Sequence, residues 1–246
     1  MSQLEGKRIL ITGASSGIGR VVAQYVAREK GQVVLVARNE ERLNETLVTL
    51  ENGDHNYFCC DLTKEEELKS IVDSIGHLDG VVFCAGVNEF VPVKFINQEK
   101  INSMFQINYF SQIILIQKLL KKKLINKGAS LVFISSISSI SSLLGTPGTT
   151  LYAASKGAIN STVKVLAVEL SGMRIRVNAI CPGIVRTQMI GNTNISEEQF
   201  LEQEKLYPLG LGSPEDVANA VIYHLSEGSR WLTGNIMVLD GGFSLK

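Results

Sequence analysis

The sequence predicts an α/β fold: one doubly wound parallel sheet with helices on both faces. Apolar, β-branched runs recur from end to end, and segments with helical character separate them. These runs are apolar throughout rather than alternating, as expected of strands that are buried on both faces. The 246 residues contain no linker-like stretch and no break in charge, so one domain over residues 1–246 is expected.

The elements follow one another along the chain in regular alternation. Strands are predicted at Arg8–Thr12, Gln32–Ala37, Tyr57–Asp61, Gly80–Cys84, Ser130–Ser135, Ile175–Ile180 and Ile236–Leu239. Helices are predicted at Gly17–Lys30, Glu40–Leu50, Lys64–Ile75, Gln98–Lys123, Tyr152–Leu170 and Pro214–Ser226. The last helix has a clear start signal, because a serine cap, a proline and two acidic residues stand in succession at residues 213–216.

Composition excludes several classes of protein. Lys plus Arg and Asp plus Glu both number 24, and a net charge of +0 argues against a nucleic-acid partner. The four cysteines show no CxxC spacing and the three histidines stand apart from them, so neither a metal site nor a disulfide framework is expected. Met1–Arg8 is polar, and the most apolar helical stretch, Ile113–Leu120, is too short and polar to span a bilayer. We therefore expect a cytoplasmic protein without a membrane partner.

The first predicted strand runs into a glycine-rich turn, Thr12–Gly19 (TGASSGIG), that opens the first helix. Gly13 permits a sharp turn, while Gly17 and Gly19 let the backbone approach a pyrophosphate closely. The helix then directs free N–H groups at the anion. The spacing Gly-x3-Gly-x-Gly differs from GxGxxG, but its place between strand and helix favours a nucleotide site over a simple tight loop.

The ends of the second and third strands bear on the choice of nucleotide. Arg38 follows the second strand, where an acidic residue would favour the ribose hydroxyl of NAD and an arginine favours the 2′-phosphate of NADP. NADP(H) is therefore preferred and NAD(H) stays possible, the alternative being an ordinary surface arginine. Asp61 and Leu62 are placed to border the adenine, or Asp61 caps the helix Lys64–Ile75.

Tyr152 and Lys156 are four residues apart on a predicted helix, and so they share one face. A tyrosine normally has a pKa of about 10, too high for easy proton transfer at neutral pH. A nearby ammonium group favours the phenolate and lowers that pKa. The pair is therefore a candidate general acid–base.

Five segments, taken together, resemble the short-chain dehydrogenase/reductase family over nearly the whole chain. They are TGASSGIG at 12–19, Ala85-Gly86 after the fourth strand, YAASK at 152–156, NAICPG at 178–183, and the C-terminal Thr233-Gly234 with VLDGG at 238–242. The resemblance implies a Rossmann-like domain, a nicotinamide cofactor and hydride transfer between a carbonyl and an alcohol.

The resemblance also implies roles for individual residues. Tyr152 is the implied acid–base, Lys156 lowers its pKa and holds the nicotinamide ribose, and Asn108 anchors a proton-relay water. Pro182, Gly183, Ile184 and Thr187 match the segment that holds the nicotinamide carboxamide. The remaining cofactor-binding candidates are Gly13, Ser15, Ser16, Gly17, Ile18, Gly19, Arg38, Asp61, Leu62, Ala85 and Gly86.

The catalytic serine that the family carries after the fifth strand has three candidates. Alignment of the strand selects Ser136, whereas counting back from Tyr152 selects Ser139, and Ser138 lies between them. Because loops absorb insertions more easily than strand ends do, Ser136 is preferred.

Phe83 and Cys84 stand where many relatives carry two asparagines, so amide hydrogen bonds near the cofactor ribose are missing. This departure bears on cofactor affinity. Cys84 is interpreted as a small buried apolar residue, with a reactive thiol as the alternative.

Within the family, the overall likeness is to 3-oxoacyl-ACP reductases. The alternative is a general ketone, sugar or steroid carbonyl reductase, and the third hypothesis is a non-catalytic, nicotinamide-binding redox sensor. The implied substrate is a small-molecule or acyl-carrier-bound carbonyl compound. Phe90–Pro92 and a predicted lid at 187–210 make the mouth partly apolar. Basic candidates for contact with an acidic carrier are Lys94, Arg174 and Lys121–Lys123. The last run is better suited to a solvated helix end, where it complements the helix dipole.

Two predicted helical stretches, Asn108–Lys123 and Tyr152–Leu170, carry wide apolar stripes. Such helices pair across two-fold axes in the family, so the resemblance implies a homotetramer. The alternative is that the stripes only cover the sheet.

Overall fold

The computed structural model of the chain describes residues 2–51, 53–140, 145–187 and 197–245, with only the backbone at 197–200. Seven strands form one sheet in the order β3-β2-β1-β4-β5-β6-β7, and every neighbouring pair is parallel. The strands are β1 (Arg8–Thr12), β2 (Gln32–Ala37), β3 (Asn56–Cys59), β4 (Leu78–Phe83), β5 (Ile125–Ile134), β6 (Arg176–Pro182) and β7 (Ile236–Leu239). The predicted fold class is confirmed.

Eight α-helices connect and cover these strands in the described part of the chain. They are α1 (Gly17–Arg28), α2 (Glu40–Val48), α3 (Glu65–Ser74), α4 (Gln98–Phe105), α5 (Ser111–Lys121), α6 (Thr150–Glu169), α7 (Glu197–Glu204) and α8 (Pro214–Leu225). Among the described residues, no helix has both the length and the apolarity needed to cross a membrane.

Two apolar layers hold the helices to the sheet, one on each face. Alternate residues of the same strand enter opposite layers: Leu10 packs in one, while Ile9 and Ile11 pack in the other. At the centre of the first layer, the rings of Phe83 and Phe133 stack with centroids 4.4 Å apart. Both rings are fully buried, and truncating either to alanine is expected to cost roughly 3–5 kcal/mol of stability.

The strand order reverses direction at β1. The chain builds outward from β1 through β2 to β3, and then returns across β1 to form β4 on its other side. The loops that follow β1 and β4 therefore leave the sheet in opposite directions and open a crevice at its carboxyl edge. This crevice is where the fold places a ligand site.

The structure differs from the predicted elements in three places. The predicted helix Gln98–Lys123 is interrupted by a π-helical turn at Gln106–Phe110. β5 begins at Ile125 rather than Ser130, because a register shift against β4 inserts an irregular segment that includes Gly128 at φ +83°. β3 ends at Cys59, so Asp61 lies beyond the strand.

Candidate active site

The glycine turn after β1 is packed so closely that side chains are excluded. An ideal Cβ at Gly13 would lie 2.8 Å from the Ala85 backbone nitrogen, in the loop after β4. A Cβ at Gly19 would lie 2.3 Å from the Gly13 carbonyl oxygen. Gly13 also adopts φ +67°, a left-handed conformation that glycine enters without strain. The turn therefore forms one wall of the crevice with backbone alone.

The N-terminus of α1 faces this crevice without a side-chain cap. Ser16 is the cap residue, but its hydroxyl accepts no hydrogen bond from the first turn. By contrast, α8 is closed by a capping box between Ser213 and Asp216. The uncapped N–H groups of α1, together with the helix dipole, suit an anionic ligand.

Two arginines line the crevice beyond the end of β2. The exposed Arg38 stands there as predicted, and Arg42 in the first turn of α2 lines the same wall. Neither guanidinium makes a hydrogen bond to any described residue. Arg42 was not among the predicted residues, although it stands only four residues after Arg38 in the sequence.

Asp61 lies in the crevice, where the structure also gives it a structural task. Its Oδ1 accepts hydrogen bonds from the backbone N–H of Thr63 at 2.9 Å and from the Thr63 hydroxyl at 2.7 Å. Burial acts to raise the pKa of Asp61, but these hydrogen bonds and the charges of Arg38 and Lys64 hold that pKa below its usual value. The carboxylate is therefore ionised near the two arginines, and Leu62 lines the crevice beside it.

The loop after β4 forms the floor between the two halves of the crevice. Ala85 donates its N–H to Thr12 Oγ1 at 3.2 Å, which ties this loop to the end of β1. A Cβ at Gly86 would lie 3.1 Å from Asn108 Oδ1 and 3.4 Å from Lys156 Nζ, so a larger residue would press on both side chains.

Cys84 lines the same floor in place of an asparagine. Burial raises the pKa of its thiol to about 12, against a smaller opposite influence from the Lys156 charge. The thiol is therefore protonated at neutral pH and poorly nucleophilic, which agrees with a small packing residue rather than a reactive cysteine.

Asn108 lies in the π-helical turn and is fully buried. Its Oδ1 accepts the Val87 N–H at 2.8 Å, and its Nδ2 donates to the Val87 carbonyl at 2.9 Å and to Ser155 Oγ at 3.1 Å. Ser155 in turn donates to the Tyr152 carbonyl at 2.8 Å. Asn108 thus links the loop after β4 to α6, the helix that carries Tyr152.

The three candidate serines have different surroundings. The Ser136 hydroxyl interacts with the Tyr152 phenol and favours its ionised form. Ser138 donates its backbone N–H to Ser136 Oγ at 3.2 Å. The Ser139 hydroxyl is engaged with the Ser136 carbonyl and with Asn160 Nδ2, the latter at 2.7 Å. Ser136 is therefore the serine that the structure places against Tyr152.

Lys156 is a buried cation, only 5% exposed. Its Nζ donates to the Ile134 carbonyl at 2.8 Å and lies 5.8 Å from the centre of the Tyr152 ring. Burial lowers the pKa of Lys156 to about 8, while the thiols of Cys84 and Cys181 act weakly in the other direction. At neutral pH the group is still mainly an ammonium ion.

The pKa of Tyr152 is raised above its ordinary value. Burial is the largest influence, and the Ser136 hydroxyl offsets it in part. The sequence led us to expect that Lys156 would dominate and lower this pKa. In this structure the loss of hydration is the largest influence on the pKa of Tyr152, because burial disfavours the charged phenolate.

The segment that follows β6 is held by backbone hydrogen bonds on one side. Gly183 donates to the Leu239 carbonyl at 2.9 Å, and Ile184 donates its N–H to the Tyr207 hydroxyl at 3.0 Å. Val185 forms a parallel bridge with Gly212, whose N–H bonds the Ile184 carbonyl at 3.0 Å. The N–H and C=O of Val185 point away from Gly212 and have no hydrogen-bond partner among the residues described.

Val185 was not among the predicted residues. Its N–H and C=O offer one donor and one acceptor that no described residue uses, whereas the N–H of the predicted Ile184 already bonds the Tyr207 hydroxyl. Only three-dimensional pairing with Gly212 distinguishes the two positions, so no local signal could have found it.

Most predicted cofactor residues meet in the crevice. Those that line it are Gly13, Ser15, Ser16, Gly17, Ile18, Gly19, Arg38, Asp61, Leu62, Ala85, Gly86 and Thr187. Lys156 adjoins it through Ile134 and Gly86, and Tyr152 through Lys156 and Ser136. Pro182, Gly183 and Ile184 do not line it; Pro182 ends β6 and the other two follow it.

Of the predicted mouth, Val91 is fixed by its N–H to the Gly148 carbonyl at 2.7 Å, and Phe90 is half exposed. Residues 188–196 of the predicted lid lie outside the described residues, and 197–204 form α7. Within the described ranges, no cluster of His, Cys, Asp or Glu could hold a metal ion.

Residues 13–244 match a family model described as enoyl-(acyl carrier protein) reductase. The chain is 32% identical to the 3-oxoacyl-[acyl-carrier-protein] reductase FabG of Rickettsia felis, over 98% of each protein. It is 34% identical to carbonyl reductase family member 4 of Xenopus laevis, over 96% of this chain and 97% of that protein. The solved structure of a short chain dehydrogenase family protein from Francisella tularensis superposes with a TM-score of 0.86 at 29% identity, covering 98% of this chain and 99% of the other.

Proposed function

The chain belongs to the short-chain dehydrogenase/reductase family of oxidoreductases, and from this premise we propose that it reduces 3-oxoacyl thioesters with NADPH. The observation that carries the proposal is the position of Tyr152, Ser136 and Lys156 beside a crevice whose far wall holds an uncapped helix and two arginines. Proton donor and anion site thus share one groove.

The crevice fits a dinucleotide phosphate. The glycine turn leaves space that a Cβ would fill, and the α1 N-terminus offers free N–H groups for the pyrophosphate. Arg38 and Arg42 supply the cations that a 2′-phosphate needs, where an NAD site would place an acid. Thr187 and the free Val185 peptide groups would hold the carboxamide. When bound, the nicotinamide supplies the hydride that reaches the carbonyl carbon.

The side chains of the site supply the proton that the carbonyl oxygen takes up. Tyr152 gives its phenolic proton to the carbonyl oxygen, so that hydride and proton together convert C=O into CH–OH. Because burial raises the pKa of Tyr152, the phenol is present in the protonated form that reduction requires. Ser136 donates a hydrogen bond to the same oxygen, and the Lys156 ammonium stabilises the phenolate that is left behind.

The substrate class is supported by the mouth of the site and by the relatives. Phe90, Val93 and Phe95 expose apolar surface beyond β4, which suits an acyl chain. Lys94 lies among them, whereas Arg174 and Lys121–Lys123 precede β6 and β5 and so lie at the opposite, amino edge of the same sheet. Within one chain, Lys94 is therefore the candidate to meet an acidic carrier.

A reductase of small carbonyl compounds is the second candidate. The Xenopus relative bears the name carbonyl reductase, and the exposed phenylalanines at the mouth would serve a free apolar ketone as well as a thioester.

We also propose a homotetramer. Phe110 in the π-helical turn, Ile114 on α5, and Val165 and Val168 on α6 are exposed apolar residues, with Val168 75% exposed, and we take them as one surface. A separate apolar surface lies near β7, where Trp231 is 95% exposed and Val238 40%. Two surfaces on different sides would generate a tetramer with two kinds of two-fold interface. Light scattering after size exclusion tests this: a monomer mass would refute it.

The test of function is the loss of NADPH absorbance with purified protein, offered acetoacetyl-CoA, acetoacetyl carrier protein or a set of small ketones and diketones. We expect NADPH to be preferred over NADH and the thioesters to be preferred over the ketones. Turnover with ketones alone would replace the proposal by the carbonyl-reductase candidate. Binding of NADPH without turnover of any compound would favour the non-catalytic sensor.

A further inference from the structure

Tyr207, which follows α7, is buried at the junction of three separate chain segments. Its side chain is 5% exposed, and its ring stacks on Phe243 with centroids 4.6 Å apart and an angle of 21° between the ring planes. An ideal Cβ at Gly183 would lie 2.8 Å from Tyr207 Cε1, so the ring rests directly on the backbone after β6. The ring is thus fixed against both Gly183 and the C-terminal turn.

The Tyr207 hydroxyl has a specific task within this packing. It accepts the Ile184 N–H at 3.0 Å, in the peptide immediately before Val185. Gly183 and Arg186 give their N–H groups to the carbonyls of Leu239 and Gly212, at 2.9 and 2.8 Å. Three of the four N–H groups at 183–186 therefore have fixed acceptors, and among the described residues only the Val185 N–H is left for a ligand.

The Tyr207 bond is the one side-chain contribution in this series. The other acceptors are backbone carbonyls of β7 and of the Gly212 loop, which the fold supplies whatever the sequence. Burial raises the pKa of the Tyr207 phenol, so the hydroxyl stays neutral across the physiological range. It acts as a permanent acceptor rather than as a titrating group.

We propose that Tyr207 is a positioning residue for the nicotinamide half of the cofactor site: its hydroxyl fixes the Ile184 peptide and thereby orients the Val185 peptide groups toward the carboxamide. The inference rests on the proposed nicotinamide cofactor but not on the identity of the substrate. It makes Tyr207 specific for one end of the dinucleotide, because its contacts do not reach the glycine turn or the arginines.

The test is the Tyr207→Phe variant, which keeps the ring and removes the hydroxyl. We measure dissociation constants by calorimetry for NADPH and for adenosine 2′,5′-bisphosphate, which carries the adenine half alone. We expect NADPH to bind about fivefold more weakly, the scale of one neutral hydrogen bond. The bisphosphate is expected to bind as in the wild type, and the KM for NADPH is expected to rise with its dissociation constant.

Tyr223→Phe is the matched control, because Tyr223 is an exposed tyrosine on the outer helix α8. It should change neither constant. If Tyr207→Phe weakens both ligands equally, or changes neither, Tyr207 is only a packing residue and the inference is wrong. If the wild type binds the bisphosphate but not NADPH, the carboxamide site itself is wrong and the inference fails. If the wild type binds NADPH but reduces nothing, the proposed reaction fails while the Tyr207 result is still decisive.

Discussion

The two halves of the crevice differ in the chemical groups that form them. On the β1–β2 side, the wall at the glycine turn is backbone: glycines at distances that exclude a Cβ, and a helix end that lacks a cap. Arg38 and Arg42 add two cationic side chains beyond the end of β2. On the β5–β6 side, the wall is side chains: a buried ammonium at Lys156, a phenol at Tyr152 and a buried amide at Asn108. Ligand binding in the first half depends on the space left free by the glycines. Proton transfer in the second half depends on the protonation states of Tyr152 and Lys156.

The two halves should therefore tolerate different kinds of substitution. Adding one methyl group should damage the first half, while removing a hydroxyl there should matter little. In the second half, substitutions that keep the shape of a side chain but remove a titratable group should reduce activity the most. Four substitutions, in order of decreasing expected effect, test the contrast.

Tyr152→Phe should lower kcat by about 1,000-fold, within the range of a lost general acid. The ring stays in place, so NADPH affinity should change by less than about threefold. Stopped-flow absorbance gives the rate and calorimetry gives the affinity. Tyr25→Phe, on the outer part of α1, is the control and should be inert. A loss below about tenfold would show that another group delivers the proton.

Gly19→Ala should weaken NADPH binding by about 100-fold, equivalent to about 3 kcal/mol. The new Cβ would lie 2.3 Å from the Gly13 carbonyl oxygen, so the turn must move. Gly157→Ala is the matched control, since no atom lies within 4 Å of its ideal Cβ in the middle of α6. That change should stabilise the protein slightly, by up to about 1 kcal/mol. Equal behaviour of the two variants would contradict the role of close packing.

Arg38→Leu should reduce the preference for NADPH over NADH by about tenfold, because one charge-assisted pair with the 2′-phosphate is lost. The ratio of kcat/KM for the two nucleotides is the measurement. Arg42→Leu should act in the same direction and the double variant more strongly, whereas Arg28→Gln at the far end of α1 should not. An unchanged ratio in the double variant would remove the arginines from the phosphate site.

Lys156 should leave a signature in stability as well as in rate. Its pKa in the native protein, about 8, is below the ordinary value near 10.4 of the unfolded chain. Between these values the unfolded chain binds more protons, so this group makes the free energy of unfolding rise as pH increases. From pH 7 to 9 the gain should be about 1 kcal/mol.

The measurement is urea unfolding without nucleotide at several pH values, compared with Lys156→Met. The variant should lack this component of the slope and be the more stable protein at pH 7, although it loses activity. Parallel pH profiles for the two proteins would show that Lys156 is not held at a lowered pKa.

Much of the fold was readable from the sequence, because buried parallel strands are continuous apolar runs and the glycine turn is local. The predicted strands and helices are present with boundaries shifted by a few residues, except that a π-helical turn divides the predicted helix Gln98–Lys123. Val185 and Tyr207 escaped notice because their roles arise from contacts between distant segments, whereas Arg42 stands only four residues after the predicted Arg38. Tyr207 and Ile184 are 23 residues apart, and neither has a local pattern that links it to the other. The catalytic roles of Ser136, Tyr152 and Lys156 stay predictions for the experiments above.

The π-helical turn at Gln106–Phe110 has a consequence for how this chain can change. Each helical residue adds about 100° of rotation, so one extra residue in the turn sets α5 at a different angle from α4. That offset lets Asn108 point inward while Leu115 and Leu119, further along, still face the sheet. After deletion of a single residue here, Asn108 could not point inward while Leu115 and Leu119 face the sheet. The same deletion in a surface loop would be accommodated by the loop. The turn therefore acts as a spacer, and the number of its residues should be more constrained than their identity.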